Sequence, residues 1–207
     1  MTKDINKTSK FIEAVYQIFE SIDKSLPDCD IKAVIAGGVA THIYTNMRVS
    51  DDIDVVFSHR ILVPQDLIVH YKDENNTDKT VYFDYNYNDS YALMHPDYMD
   101  NAVKINWNKS NNIKLYALSP VDLVISKLLR YIETDQADIR KLCELALFSS
   151  EELEQKINEA LDYYIGNMTF LKHNIDDTLA LKKEFEEKEF EEKELKNNKH
   201  KGTNFGL

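Results

Sequence analysis

The segment Ala36–Val56, AGGVATHIYTNMRVSDDIDVV, decides how this chain is read. It opens on two of the chain's five glycines, Gly37 and Gly38. The run IKAVIAG before them reads as a short buried strand ending at the glycines, GVATHIYTN as a helix, and DIDVVFS as a further strand. Alternate residues of a strand share a face, so Asp52 and Asp54 point one way while Ile53 and Val55 point the other. Two carboxylates a few ångströms apart repel unless a proton or a cation lies between them. A hard divalent cation meets that need, and Mg2+ typically takes one or two carboxylates together with substrate phosphates. Glycines at a strand-to-helix turn let a phosphate approach the backbone where the helix offers free N–H groups. Taken singly, a Gly-Gly turn and an exposed acidic strand end are both common. In this order and at this spacing they point to phosphate and metal chemistry.

Outward from that segment, composition bounds the rest. The 207 residues suffice for one good core with a small helical appendage, and 43% hydrophobic residues mark an ordinary globular chain. There is no apolar run long enough for a membrane span, and MTKDINKTSKFIEAV lacks the apolar core of a secretory signal. Cys29 and Cys143 are far apart and carry no Cys-x-x-Cys spacing, so they read as reduced structural thiols of a cytoplasmic protein. A net charge of -11 argues against broad, sequence-independent binding to nucleic acid, while leaving room for a local basic cleft.

Residues 7–26 place Phe11, Val15, Ile18, Phe19 and Ile22 at helical spacing, with Pro27 as the stop. PQDLIVHYK reads as a helix opened by Pro64, and DENNTDKT as a polar loop. VYFDYNY, AVKINW and IKLYAL are β-rich. From Ser119 the pattern turns helical. SPVDLVISKLLRYIE has a serine cap and Pro120 in its first turn, DQADIRKLCELALF follows, and SSEELEQKINEALDYYIG opens on a Ser149–Glu152 capping pair. DTLALKKEFEEKEFEEKELK reads as a long charged helix whose Glu-to-Lys pairs suit a solvated face. The expected organisation is α+β: a mixed sheet with flanking helices over residues 1–118, a helical bundle over 119–196, and a disordered tail over 197–207.

GGVATHIYTNMRVSDDIDVVF resembles the first motif of the polymerase-β-type nucleotidyltransferase superfamily. The form R-x-S-x-D-I-D, here Arg48 to Asp54, is most similar to the AbiEii/MenA-like group of nucleotidyltransferase toxins. SPVDLVISKLLRYIETDQADIRKL resembles that group's later motifs, a helix with a lysine followed by a helix with an aspartate. The resemblance implies that Asp52 and Asp54 hold Mg2+ or Mn2+, that Gly37, Gly38, Arg48 and Ser50 seat the phosphates of an NTP, and that Lys127 and Asp138 complete the catalytic set. Asp84, with Asp89 behind it, is the candidate for the superfamily's third metal carboxylate. The implied reaction is transfer of a nucleoside monophosphate from an NTP to an acceptor hydroxyl. The acceptor is expected in RNA, such as a tRNA end, in a toxin–antitoxin or phage-defence setting with a cognate antitoxin. A protein side chain is the second acceptor class.

Each residue also has a plainer reading. Lys127 could snorkel beside Leu123, Val124 and Leu128. Asp138 could be a surface charge or a partner that orients Lys127. Arg48 and Ser50 could cap the turn, and His42 reads as a helix residue near the core. The aromatics of VYFDYNYNDSY read as sheet packing ahead of a base-stacking platform. The rival from another class is a non-catalytic nucleotide-binding or scaffold protein that keeps the fold.

Overall fold

The computed structural model describes residues 2–3, 9–47, 49–107, 109 and 112–202. After β1 (Thr2–Lys3), the helix α1 (Lys10–Ser25) begins where the Ser9 hydroxyl accepts the Ile12 N–H. Its apolar stripe of Phe11, Val15, Ile18, Phe19 and Ile22 is buried, as the spacing requires. β2 (Ile31–Ile35) then runs through the core into α2 (Gly37–Thr45).

The expected strand DIDVVFS divides in two. β3 (Asp52–Ile53) and β4 (Val55–Phe57) are separated at Asp54, and they belong to different sheets. β4 lies antiparallel to β2 at one edge of a five-stranded sheet. The rest of that sheet is β8 (Ile113–Ala117) parallel to β2, β7 (Val103–Ile105) antiparallel to β8, and β1 parallel to β7. β3 instead lies parallel to β6 (Asp78–Phe83), which pairs antiparallel with β5 (Ile68–Lys72). Two backbone bonds flank the break: Ala36 N–H donates to the Asp54 carbonyl at 2.9 Å, and Asp84 N–H to the Ile53 carbonyl at 3.2 Å.

β5 corrects the expectation of a helix in PQDLIVHYK. Pro64 and Gln65 lie outside any helix, Asp66 adopts a left-handed φ of 58°, and Ile68–Lys72 is a strand against β6. Val69 and Tyr71 turn inward and Ile68, His70 and Lys72 outward, so a period of two prevails over the proline cue. α1 packs across β5 and β6.

A short helix, α3 (Tyr98–Asn101), precedes β7. After β8 come α4 (Pro120–Ser126), α5 (Glu133–Glu144), α6 (Ser150–Leu161) and α7 (Met168–Gly202). Ser119 caps α4 and Ser149 caps α6 through the Glu152 N–H at 3.1 Å, as their spacing predicts. The expectation of one helix through SPVDLVISKLLRYIE is corrected. α4 stops at Ser126, the N–H groups of Lys127 and Leu128 bond three residues back, and Tyr131 turns to a φ of 47°. α4 and α5 pack on α2, while α7 covers α5 and α6. Lys182 fastens α7, with its ammonium 5.1 Å from the Phe148 ring and its neighbour Glu186 accepting the Ser150 N–H at 2.8 Å. Residues 197–202 of the expected tail fall within α7, and 203–207 lie outside the described residues. No described helix is long and apolar enough to cross a membrane.

Candidate active site

The break between β3 and β4 sets the carboxylates. Asp52 leaves β3, Asp54 occupies the break, and Asp84 follows the end of β6, the strand beside β3. One oxygen from each lies within 4.8 Å of the other two. All three side chains are half-buried. Burial, then the charges of Asp52 and Asp84, push the Asp54 pKa up to about 6, with Lys127 and Arg130 pulling the other way. A set of three hard oxygen donors whose mutual repulsion is left uncancelled fits a hard divalent cation.

Gly37 shows why a glycine stands at this turn. Its φ is +55°, and a Cβ there would lie 1.8 Å from Asp54 Oδ2. The carboxylate therefore rests directly against the start of α2. Gly37→Ala combines a left-handed alanine with a collision. We expect it to destabilise the fold by at least about 2 kcal/mol and to displace Asp54. Thermal unfolding with and without Mg2+ and ATP measures both effects; a variant that unfolds and responds like wild type would disprove the packing argument.

These groups line a cleft of about 290 Å³ together with residues that follow β6 and α4. Its lining includes Gly37, Asp52, Asp54 and Asp84, then Asn86, Tyr87, Asn88 and Tyr91, and then Lys127, Arg130 and Asp135. Lys127 follows the last residue of α4 and is 5% exposed. Its ammonium donates to Asp138 Oδ2 at 2.8 Å and lies 3.5 Å from Asp135 Oδ1. Arg130 grips Asp135 with two bonds of 2.7 Å, from Nε and from the terminal guanidinium nitrogen Nη2, while its side chain stays 64% exposed. Burial works to raise the Asp135 pKa, but the Arg130 hydrogen bonds and the Lys127 charge outweigh it and hold that pKa low.

The remaining expected residues divide. Ser50 is buried and donates to Asp52 Oδ1 at 2.5 Å, so its hydroxyl orients a carboxylate. Gly38 is buried in the first turn of α2. Asp138 stands behind Lys127 as its partner. Asp89 accepts the Tyr98 hydroxyl at 2.5 Å and borders a neighbouring depression that also takes in Tyr163 and Tyr164. His42 is buried, edge-on to Phe11 at 4.9 Å with Nε2 3.1 Å from Ser9 Oγ. Arg48 lies outside the described residues. Arg130 and Asp135 are cleft residues that motif reading passed over. The available signal was the pairing of a cation and an acid five positions apart in RYIETD, across a helix start.

The mixed sheets with flanking helices are consistent with a nucleotidyltransferase-type fold. The family described as "Nucleotidyltransferase of unknown function (DUF6036)" matches residues 13–188, and the chain belongs to that family. No curated protein matches the chain.

Proposed function

We propose that the protein is a divalent-metal-dependent enzyme that transfers a nucleoside monophosphate from an NTP to an acceptor hydroxyl. The observation that carries this reading is the convergence of Asp52, Asp54 and Asp84 in one cleft with Lys127 and Arg130. Asp52, Asp54 and Asp84 would hold Mg2+ or Mn2+, with Ser50 fixing the rotamer of Asp52. The bound cation supplies charge neutralisation on the triphosphate and eases deprotonation of the acceptor hydroxyl. Gly37 lets the Asp54 carboxylate lie against the start of α2, so that the α2 N–H groups and the carboxylates would serve one phosphate-bearing ligand. Arg130 offers its exposed guanidinium to the phosphates, preorganised by its fork on Asp135. Lys127 adds positive charge from the floor, fixed there by Asp138.

For the acceptor we favour a hydroxyl of RNA, with a tRNA end foremost, and a toxin–antitoxin or phage-defence role in the cytoplasm. The support for that setting is the likeness of RVSDDID and of SPVDLVISKLLRYIETDQADIRKL to the AbiEii/MenA-like toxins. The test is to incubate the protein with each labelled NTP, Mg2+ and total RNA or cell lysate. Label should enter RNA and should vanish with EDTA. Label in protein instead would move the acceptor to a side chain. The absence of any labelled product, together with no thermal stabilisation by Mg2+ and NTP, would leave a scaffold that keeps the fold.

A further inference from the structure

The cleft lining combines two kinds of group. Lys127 and Arg130 supply cations. The segment 84–92, DYNYNDSYA, supplies Asp84 and aromatic rings and has no lysine or arginine. Its aromatic residues have different surroundings. Tyr85 donates its hydroxyl to the Pro64 carbonyl at 2.5 Å and sets its ring edge-on to Phe83, with centroids 5.1 Å apart. Tyr87 is half-buried and packs against the hydrophobic core. Both serve the fold. Tyr91 does not: it is 82% exposed, lines the cleft, and among the described residues its side chain makes no hydrogen bond or ring contact. Its backbone is nevertheless fixed. The Tyr91 N–H donates to the Asn88 carbonyl at 3.2 Å, and the Asn88 side chain accepts the Ser90 N–H at 2.9 Å. A large ring held in water on the lip of a polar cleft is an aromatic face on a fixed mount.

Resting on the nucleotidyltransferase reading above, we propose that Tyr91 is the platform on which the nucleobase of the NTP stacks. The nucleotide then lies with its triphosphate toward Lys127 and Arg130 and its base toward Tyr91. Triphosphate is strongly anionic and belongs with Lys127 and Arg130, while a base needs a π-face, which the free Tyr91 ring offers in the same cleft. Stacking accepts any base, since every base has a π-face, so Tyr91 adds affinity for nucleotides as a class.

Isothermal titration in Mg2+ separates the two contacts, with each NTP and inorganic tripolyphosphate as probes. Wild type should bind nucleotides about tenfold more tightly than tripolyphosphate. Tyr91→Ala should abolish that advantage while leaving tripolyphosphate affinity unchanged, and Tyr91→Phe should keep it because the ring alone is needed. Arg130→Ala should weaken both probes alike. The proposal is overturned if Tyr91→Ala weakens both probes equally or neither, or if Tyr91→Phe loses as much as the alanine. It is also overturned if wild type binds tripolyphosphate yet binds nucleotides no more tightly, a result that leaves the nucleotidyltransferase reading intact. Binding of neither probe removes that reading and the Tyr91 platform with it.

Discussion

Asp54→Asn should lower nucleotidyl transfer by about a thousandfold or more while making the metal-free protein harder to unfold at neutral pH. The loss follows from removing a charged oxygen from a three-carboxylate site, since metal assistance to phosphoryl chemistry is worth several kcal/mol. The gain follows from linkage. The folded-state pKa of Asp54 is raised from 3.8 to about 6, so the folded protein holds this proton more tightly than the unfolded chain does. Stability of the metal-free wild type therefore falls as pH rises from about 4 to about 6 and stays lower above that. Asparagine carries no charge to desolvate or repel, so the variant should lack this decline and exceed wild type at pH 7 by at most about 3 kcal/mol. Urea unfolding from pH 4 to 8 in EDTA reads the stability, and turnover in Mg2+ reads the chemistry. A variant that is both less stable without metal and inactive would make Asp54 a structural residue.

The second large effect is expected at Lys127. Lys127→Ala takes the cation away from the buried Asp138 and from Asp135 Oδ1, which it shares with Arg130 Nη2. Removing one partner of a buried ion pair costs about 3–5 kcal/mol, because the charge left behind stays desolvated. Lys127→Met combined with Asp138→Leu removes both charges and keeps the volume, and should recover much of that loss. The double variant also isolates function: if it folds well yet binds tripolyphosphate weakly, the Lys127 charge acts on ligand. Should Lys127→Ala unfold within about 1 kcal/mol of wild type in urea, the buried pair would contribute nothing to holding the α4–α5 turn.

The sequence made the carboxylates readable because strand alternation is a local rule. Asp52 and Asp54 sit two apart, and their oxygens do meet, although the strand that was to align them breaks at Asp54. Asp84 was within reach as the acid inside the β-rich run VYFDYNY, put forward because the resembled superfamily has a third carboxylate. Arg130 and Asp135 were not, because their meeting depends on where a helix ends. SPVDLVISKLLRYIE is apolar at helical spacing throughout, and nothing in it marks the stop at Ser126 that turns Lys127 and Arg130 into the cleft. Ser50 was selected as a phosphate ligand on motif grounds, yet its hydroxyl is occupied by Asp52, a contact that only the bend before β3 creates. β5 was misread for a different reason. Pro64 is a common helix opener, and the strand it precedes is an edge strand whose alternation spans only five residues. Tyr91 and Tyr85 are indistinguishable as letters, and only the Pro64 carbonyl and the Phe83 ring separate them.

The break at Asp54 has a mechanical meaning. Asp52 and Asp84 ride on the three-stranded sheet, while the Gly37 turn against Asp54 extends from the five-stranded one. The carboxylate oxygens thus come from two sheets whose strands meet at Asp54. Their mutual distances therefore depend on how the two sheets sit against each other, so a shift of the β5–β6 ribbon, on which α1 packs, would change the geometry offered to a cation.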